Sequence, residues 1–149
     1  MTKRWVQEHR RDPYYRKAKS QGYRSRASYK LFQISQRYDI IKPGHAVVDL
    51  GCSPGGWLQV ALELTGTDGI VVGVDLDRVK PLEGATVIRG DMREPDIARK
   101  VVEALPAGRA DVVLSDMAPN ISGNYNIDHA KSIELSETAF DFACKVLRP

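Results

Sequence analysis

The sequence predicts an α/β fold built on a mostly parallel sheet with helices on both faces. Three observations carry this. Strand-like runs alternate with helix-like segments, and most of the runs are apolar throughout rather than every second residue. Strands buried on both faces read that way. The length, 149 residues, is that of one domain. No internal repeat or low-complexity segment interrupts it.

Residues 1–24 read as a basic, irregular N-terminal segment, because Arg10-Arg11-Asp12-Pro13-Tyr14-Tyr15-Arg16-Lys17-Ala18-Lys19 has no clean apolar period. The domain proper is expected over 25–149. Ser25 is a fitting N-cap for a helix over 26–38, with Ala27, Leu31, Ile34 and Tyr38 as its buried stripe. Arg26, Lys30, Gln33 and Arg37 share the neighbouring face. Lys42-Pro43-Gly44 marks a turn, and Ala46–Leu50 a buried strand. A glycine-rich turn, Gly51–Gly56, leads into a helix from Trp57 to Leu64. Further strands are expected over 70–74, 86–89 and 111–115, with a helix from Pro95 to Leu105 between the last two. A final helix over 128–147 carries a stripe of Ile133, Phe140, Cys144 and Leu147, which places Cys144 in the core. Four strands leave the last one with an open edge, and the chain stops where another strand would follow.

Charge is unevenly spread. Residues 1–42 hold 12 Lys and Arg against 3 Asp and Glu, a net of +9, whereas residues 43–149 carry a net of −6. Five of the six tyrosines lie in the basic part. Positive charge interleaved with aromatics suits a surface that holds a phosphate backbone and stacks on bases. The bland alternative, a solvated basic tail, has about equal weight on charge alone. Arg10, Arg11, Arg16, Lys17, Lys19, Arg24, Arg26 and Arg37 are the candidate phosphate contacts, with Tyr23 or Tyr29 as a base-stacking side chain, Tyr29 equally open to being packed. The chain contains no run of 18 uncharged apolar residues and shows no apolar segment behind Met1-Thr2-Lys3-Arg4-Trp5. Neither a membrane partner nor secretion is therefore expected. The two cysteines form no disulfide framework, and His9, His45 and His129 lack metal-ligand spacing. A cytoplasmic, metal-free monomer is the expectation.

The ends of the strand runs carry the chemistry. Asp75, Asp91 and Asp116 follow three of them and the glycine-rich turn follows another. In a doubly wound sheet, ligands bind in that crevice. Gly51, Gly55 and Gly56 permit a sharp turn and close ligand approach. Asp75 suits the two hydroxyls of a ribose and Asp91 the amino group of an adenine. The turn is Gly-x-x-x-Gly-Gly with Pro54 inside it, not Gly-x-Gly-x-x-Gly. That spacing and the surrounding acids disfavour a dinucleotide's pyrophosphate. They suit a positively charged nucleoside, such as the sulfonium of S-adenosylmethionine. A tight turn with no ligand is the plain alternative for the glycines, and a helix cap is the plain alternative for each aspartate.

Three motifs, Arg24-Ser25-Arg26-Ala27-Ser28-Tyr29-Lys30-Leu31, Asp49-Leu50-Gly51-Cys52-Ser53-Pro54-Gly55-Gly56-Trp57 and Ser115-Asp116-Met117-Ala118-Pro119-Asn120, resemble those of the FtsJ/RrmJ-type ribose 2′-O-methyltransferases. The resemblance runs from about Trp5 to Pro149. It implies a Rossmann-like class I fold that binds S-adenosylmethionine and methylates a ribose 2′-oxygen. The best functional match is the type acting on a uridine of large-subunit ribosomal RNA. Relatives act on tRNA or mRNA caps. The family's catalytic set is Lys-Asp-Lys-Glu. Lys30 and Asp116 match its first two members. The second lysine would lie on the strand after Leu147-Arg148-Pro149 and the glutamate later still. The resemblance thus implies a chain cut short on its C-terminal side and inactive alone.

By the same resemblance Gly51, Gly55, Gly56 and Trp57 line the methionine side of the cofactor pocket, Asp75 holds its ribose and Asp91 its adenine. Asp49 orients the turn or approaches the methionine amino group, and Asp116 belongs to both sets. Asp-Met-Ala-Pro-Asn differs from the Asn-Pro-Pro-Tyr type of motif expected for an amine acceptor, which favours oxygen. Competing readings are a tRNA ribose methyltransferase, a nicotinamide-dependent oxidoreductase, and a non-catalytic RNA-binding protein on a degenerate transferase fold.

Overall fold

The computed structural model describes residues 13–119 and 121–149. Arg10 and Arg11 lie outside the described residues. Among the described residues, five α-helices and four strands follow in the order α1 (Pro13–Ser20), α2 (Ala27–Tyr38), β1 (Ala46–Leu50), α3 (Gly56–Thr65), β2 (Ile70–Asp75), β3 (Ala85–Arg89), α4 (Pro95–Ala104), β4 (Val112–Ser115) and α5 (Tyr125–Val146). A short 3₁₀ turn, Pro106–Gly108, joins α4 to β4.

The strands form one parallel sheet in the order β3-β2-β1-β4. The central strand β1 is buried along its whole length, with Val48 beside Val72 on one side and Val113 on the other. Its alternate residues serve two cores. Val48 and Leu50, with Val72 and Val74, pack against α4 and α5 through Ile97, Val101, Phe142 and Val146. Val47 and Val71 pack the other way, against Leu31 of α2 and Leu58 and Ala61 of α3. That two-sided burial is why the runs are apolar throughout. The edge strand β3 is less buried and carries Thr86 and Arg89 outward. β4 is the other edge, flanked at its start by a bridge between Ala110 and Leu147.

Several expectations need correction. Residues 13–20 are helical, because Ala18 is fully buried and the backbone N–H of Tyr23 reaches its carbonyl. Ala18 is the one buried side chain among those described in this helix, and a single buried position leaves no readable period. Helix α2 begins at Ala27 rather than 26. Arg26 occupies its cap position in helical backbone with no side-chain cap bond, and the Ser25 carbonyl accepts from Ser28 N–H. The buried face of α2 is Ser28, Leu31 and Ser35, while Tyr38 is 63% exposed. In α5 the buried face is Ala139, Phe142 and Val146, while Ile133, Phe140 and Cys144 are exposed. The two faces of that helix are similarly apolar, so the period alone chose the wrong one. Asp111 precedes β4 rather than opening it, with its Oδ2 accepting from Ala46 N–H at 2.7 Å and its Oδ1 3.3 Å from Arg148 Nε.

Candidate active site at the carboxyl edge of the sheet

Strand order reverses between β1 and β4, with β2 and β3 on one side of β1 and β4 on the other. A crevice opens at the carboxyl ends of strands on either side of such a point. The turn after β1 begins at Gly51, whose φ is +77°. The N–H groups of Gly51 and Cys52 both donate to Val74 carbonyl oxygen, at 2.8 and 3.0 Å, locking the turn to β2. A Cβ on Gly51 would stand 2.5 Å from Met117 Cγ, so backbone conformation and close packing both require glycine there. Gly56 opens α3, with the Ser28 hydroxyl held close over it.

The acidic residues converge on this turn. Asp75, at the end of β2, accepts from Ser53 N–H at 2.9 Å and Asp77 N–H at 2.8 Å, joining the turn to the loop after β2. Asp91, two residues past β3, is paired with Arg93, the closest contact being 2.7 Å. That guanidinium holds the Asp91 carboxyl below the usual carboxylate range. Arg93 reaches on to Glu134 of α5 at 3.4 Å. Gly51, Asp75, Asp91 and Asp116 line one cavity of about 570 Å³, with Met117 and Glu134 also in its wall.

A smaller cavity of about 120 Å³ adjoins it and shares Gly51 and Asp116 with it. Asp49, Gly56 and Trp57 line this second space. The Trp57 indole N–H donates to Ala27 carbonyl at 2.8 Å, tying α3 to the start of α2. Asp49 is 1% exposed and its Oδ1 has no hydrogen-bond partner. Burial, reinforced by the negative charges of Asp116 and Asp75, pushes its carboxyl up to about 8. Cys52 is buried beside it, and burial followed by the charges of Asp49 and Asp75 pushes its thiol up to about 12. Such a thiol is no nucleophile at neutral pH.

At the mouth, Lys30 Nζ of α2 stands 3.8 Å from Asp116 Oδ1 at the end of β4. Both side chains are more than half exposed. The two residues proposed as catalytic are thus brought together.

The basic residues behave less uniformly. Arg16, Lys19, Arg26 and Arg37 are exposed, Arg37 with its guanidinium 5.4 Å from the Tyr38 ring. Lys17 sits 5.1 Å over the ring of Tyr29. Arg24 instead donates to the carbonyls of Pro54, Lys80 and Pro81. Tyr23 packs edge-on against Tyr29 and Phe32 and donates its hydroxyl to Glu63. Burial and then that bond push its phenol up to about 12. Tyr23 is therefore part of the core of the N-terminal region rather than an open stacking platform.

Sequence reading missed Met117, Arg93 and Glu134. Met117 was visible inside the third motif. Arg93 had a local cue, a position two after an aspartate whose carboxylate accepts from its backbone N–H at 2.9 Å. Glu134 had none, because the register of α5 decides it. Among the described residues, no group of three or more His, Cys, Asp and Glu is placed to hold a metal ion, and no helix is long and apolar enough to cross a membrane.

Comparison with known proteins agrees with this geometry. The FtsJ-like methyltransferase model matches residues 23–149. The ribosomal RNA large subunit methyltransferase E of Natronomonas pharaonis is 57% identical over 140 residues, covering 94% of this chain and 55% of that protein. Its counterpart in Methanothermobacter thermautotrophicus is 52% identical over 149 residues, 99% of this chain and 70% of that one. This chain therefore spans little more than half of the first relative's length. Among solved structures, a ribosomal RNA methyltransferase of Plasmodium falciparum superposes with a TM-score of 0.77 at 31% identity, covering 85% of this chain and 73% of that one. The TrmN structure from Thermus thermophilus shares the fold, with a TM-score of 0.54 at 18% identity. The parallel sheet, its helical layers and these matches make the fold Rossmann-like and of class I, and the chain belongs to the FtsJ-like methyltransferase family.

Proposed function

We propose that the protein transfers a methyl group from S-adenosylmethionine to a ribose 2′-oxygen of large-subunit ribosomal RNA. The observation that carries this is the convergence of Asp49, Asp75, Asp91 and Asp116 on one crevice, with Lys30 at its mouth. The residues fit the cofactor. Asp49 presents a buried oxygen without a partner, the acceptor that a cationic amino acid end needs. Asp75 and Asp91 suit hydroxyl and amino donors further along, and the acidic lining repels a pyrophosphate.

The bound cofactor supplies a methyl group already activated by its sulfonium charge. The chain's own residues supply position and charge. Asp116 holds Lys30 over the crevice, and Lys30 carries positive charge to where negative charge develops on the 2′-oxygen. Fixing the hydroxyl in line with the methyl is the larger part of the task. The exposed Arg16, Lys19, Arg26 and Arg37 provide phosphate contacts on the approach to Lys30. Ribosomal RNA rather than tRNA is favoured by the kinship to two large-subunit enzymes. A cytoplasmic monomer working without metal completes the reading, in keeping with the two free cysteines.

Incubating the full-length protein with methyl-labelled S-adenosylmethionine and large subunits lacking the modification tests this reading. Label is expected in the ribosomal RNA. Cofactor binding without transfer to subunits, free ribosomal RNA or tRNA would overturn the substrate assignment.

A further inference from the structure

We propose that Arg24 is a positioning residue of the cofactor site and not a phosphate contact. This rests on the cofactor reading above and adds to it a device that holds two walls of the site together. The Arg24 guanidinium lies between two loops. Nη1 donates to Pro54 carbonyl at 3.2 Å and to Lys80 carbonyl at 2.6 Å, and Nη2 donates to Pro81 carbonyl at 2.9 Å. Pro54 belongs to the glycine-rich turn, and Lys80-Pro81 lies within the loop that runs from Asp75 to β3.

The residue is built into this place from several sides. Its own backbone N–H donates to Gln59 Oε1 of α3 at 2.8 Å, and Gln59 Nε2 donates back to Gly22 carbonyl at 3.0 Å. Gly55, at the start of α3 with φ +117°, lies directly beneath. A Cβ there would be 2.9 Å from Arg24 Nη1 and 3.1 Å from its Cδ. Gly55 is thus glycine partly because Arg24 crosses over it.

The chemistry favours a fork over a point charge. Two terminal nitrogens meet three carbonyl oxygens that no other described side chain bonds. A planar guanidinium does this with fixed geometry, whereas an ammonium satisfies only part of it. Asp75 bonds the same two loops from the cofactor side, through Ser53 N–H and Asp77 N–H. Arg24 and Asp75 therefore brace one turn from two sides. Removing Arg24 would let the turn drift from Asp75 and loosen cofactor binding before it affects RNA.

The test measures cofactor and RNA separately in the full-length protein, using Arg24→Ala, Arg24→Lys and Arg37→Ala. Calorimetry with S-adenosylmethionine gives cofactor affinity, and methyl transfer gives KM for each substrate. Arg24→Ala and Arg24→Lys are each expected to weaken the cofactor about tenfold, with RNA KM within about twofold of wild type. Arg37→Ala is expected to do the reverse. Lysine keeps the charge, so it also serves if the alanine variant fails to fold. Wild-type cofactor affinity in Arg24→Lys, or a rise in RNA KM alone, would overturn the brace and return Arg24 to the phosphate contacts. A wild-type protein that binds no S-adenosylmethionine would overturn the functional reading and this proposal with it.

Discussion

Lys30 Nζ and Asp116 Oδ1 stand 3.8 Å apart, although one belongs to α2 and the other follows β4. The glycine-rich turn and the Trp57–Ala27 hydrogen bond explain how. That bond fixes the start of α2 on α3, and α3 is fixed to β1 by the turn. Lys30 is one helical turn further on, directed at the end of the strand next to β1.

Loss of Lys30 should separate chemistry from binding, and loss of Asp116 should not. Lys30→Ala is expected to lower methyl transfer by about 100-fold or more with cofactor affinity nearly intact. Asp116→Ala is expected to lose both, since it lines both cavities. Unfolding free energy should change by less than about 1 kcal/mol in Lys30→Ala, because the ion pair is exposed. Single-turnover transfer, calorimetry and urea unfolding distinguish these effects.

Asp49 should make stability fall as pH rises. Its folded-state carboxyl sits near 8 against a free value of 3.8. Between those values the unfolded chain has released a proton that the folded chain still holds. Raising pH through this window therefore favours unfolding, and the penalty is complete above the folded value. Asp49→Asn is expected to raise Tm at pH 8 and flatten its decline from pH 5, while weakening cofactor binding. Equal pH slopes for the two proteins would contradict the buried neutral carboxyl.

Gly51→Ala should be costly for two reasons that can be measured apart. The left-handed backbone costs about 1 kcal/mol or more, and the clash with Met117 adds to it. Met117→Ala in the same background should recover the clash but not the backbone cost. Chemical denaturation of the single and double variants measures both.

The corrected face of α2 has its own test. Leu31 is 1% exposed and Tyr38 is 63% exposed. Leu31→Ala is expected to cost about 2–5 kcal/mol and Tyr38→Ala under about 0.5 kcal/mol. Comparable losses would restore the stripe read from periodicity.

Much of this was legible in the residues. β1 announced itself because Ala46–Leu50 is buried on both faces, and Asp75 and Asp116 were placed by counting to strand ends. The glycine spacing supports the proposal of a nucleoside site over a dinucleotide one. What stayed hidden depends on tertiary contact. Ala18 is the one buried side chain described in α1, and α5 has apolar residues on both faces. Arg24 looks like its basic neighbours until the carbonyls of Pro54, Lys80 and Pro81 are seen around it.

The proposed crevice holds a ribose hydroxyl for methylation, with Lys30 over it and Asp116 orienting Lys30. Alkaline digestion of RNA methylated by the full-length protein locates the label. It is expected in an alkali-resistant dinucleotide and is lost with Lys30→Ala and with Asp116→Ala. Label on a base, released with single nucleotides, would contradict the proposal.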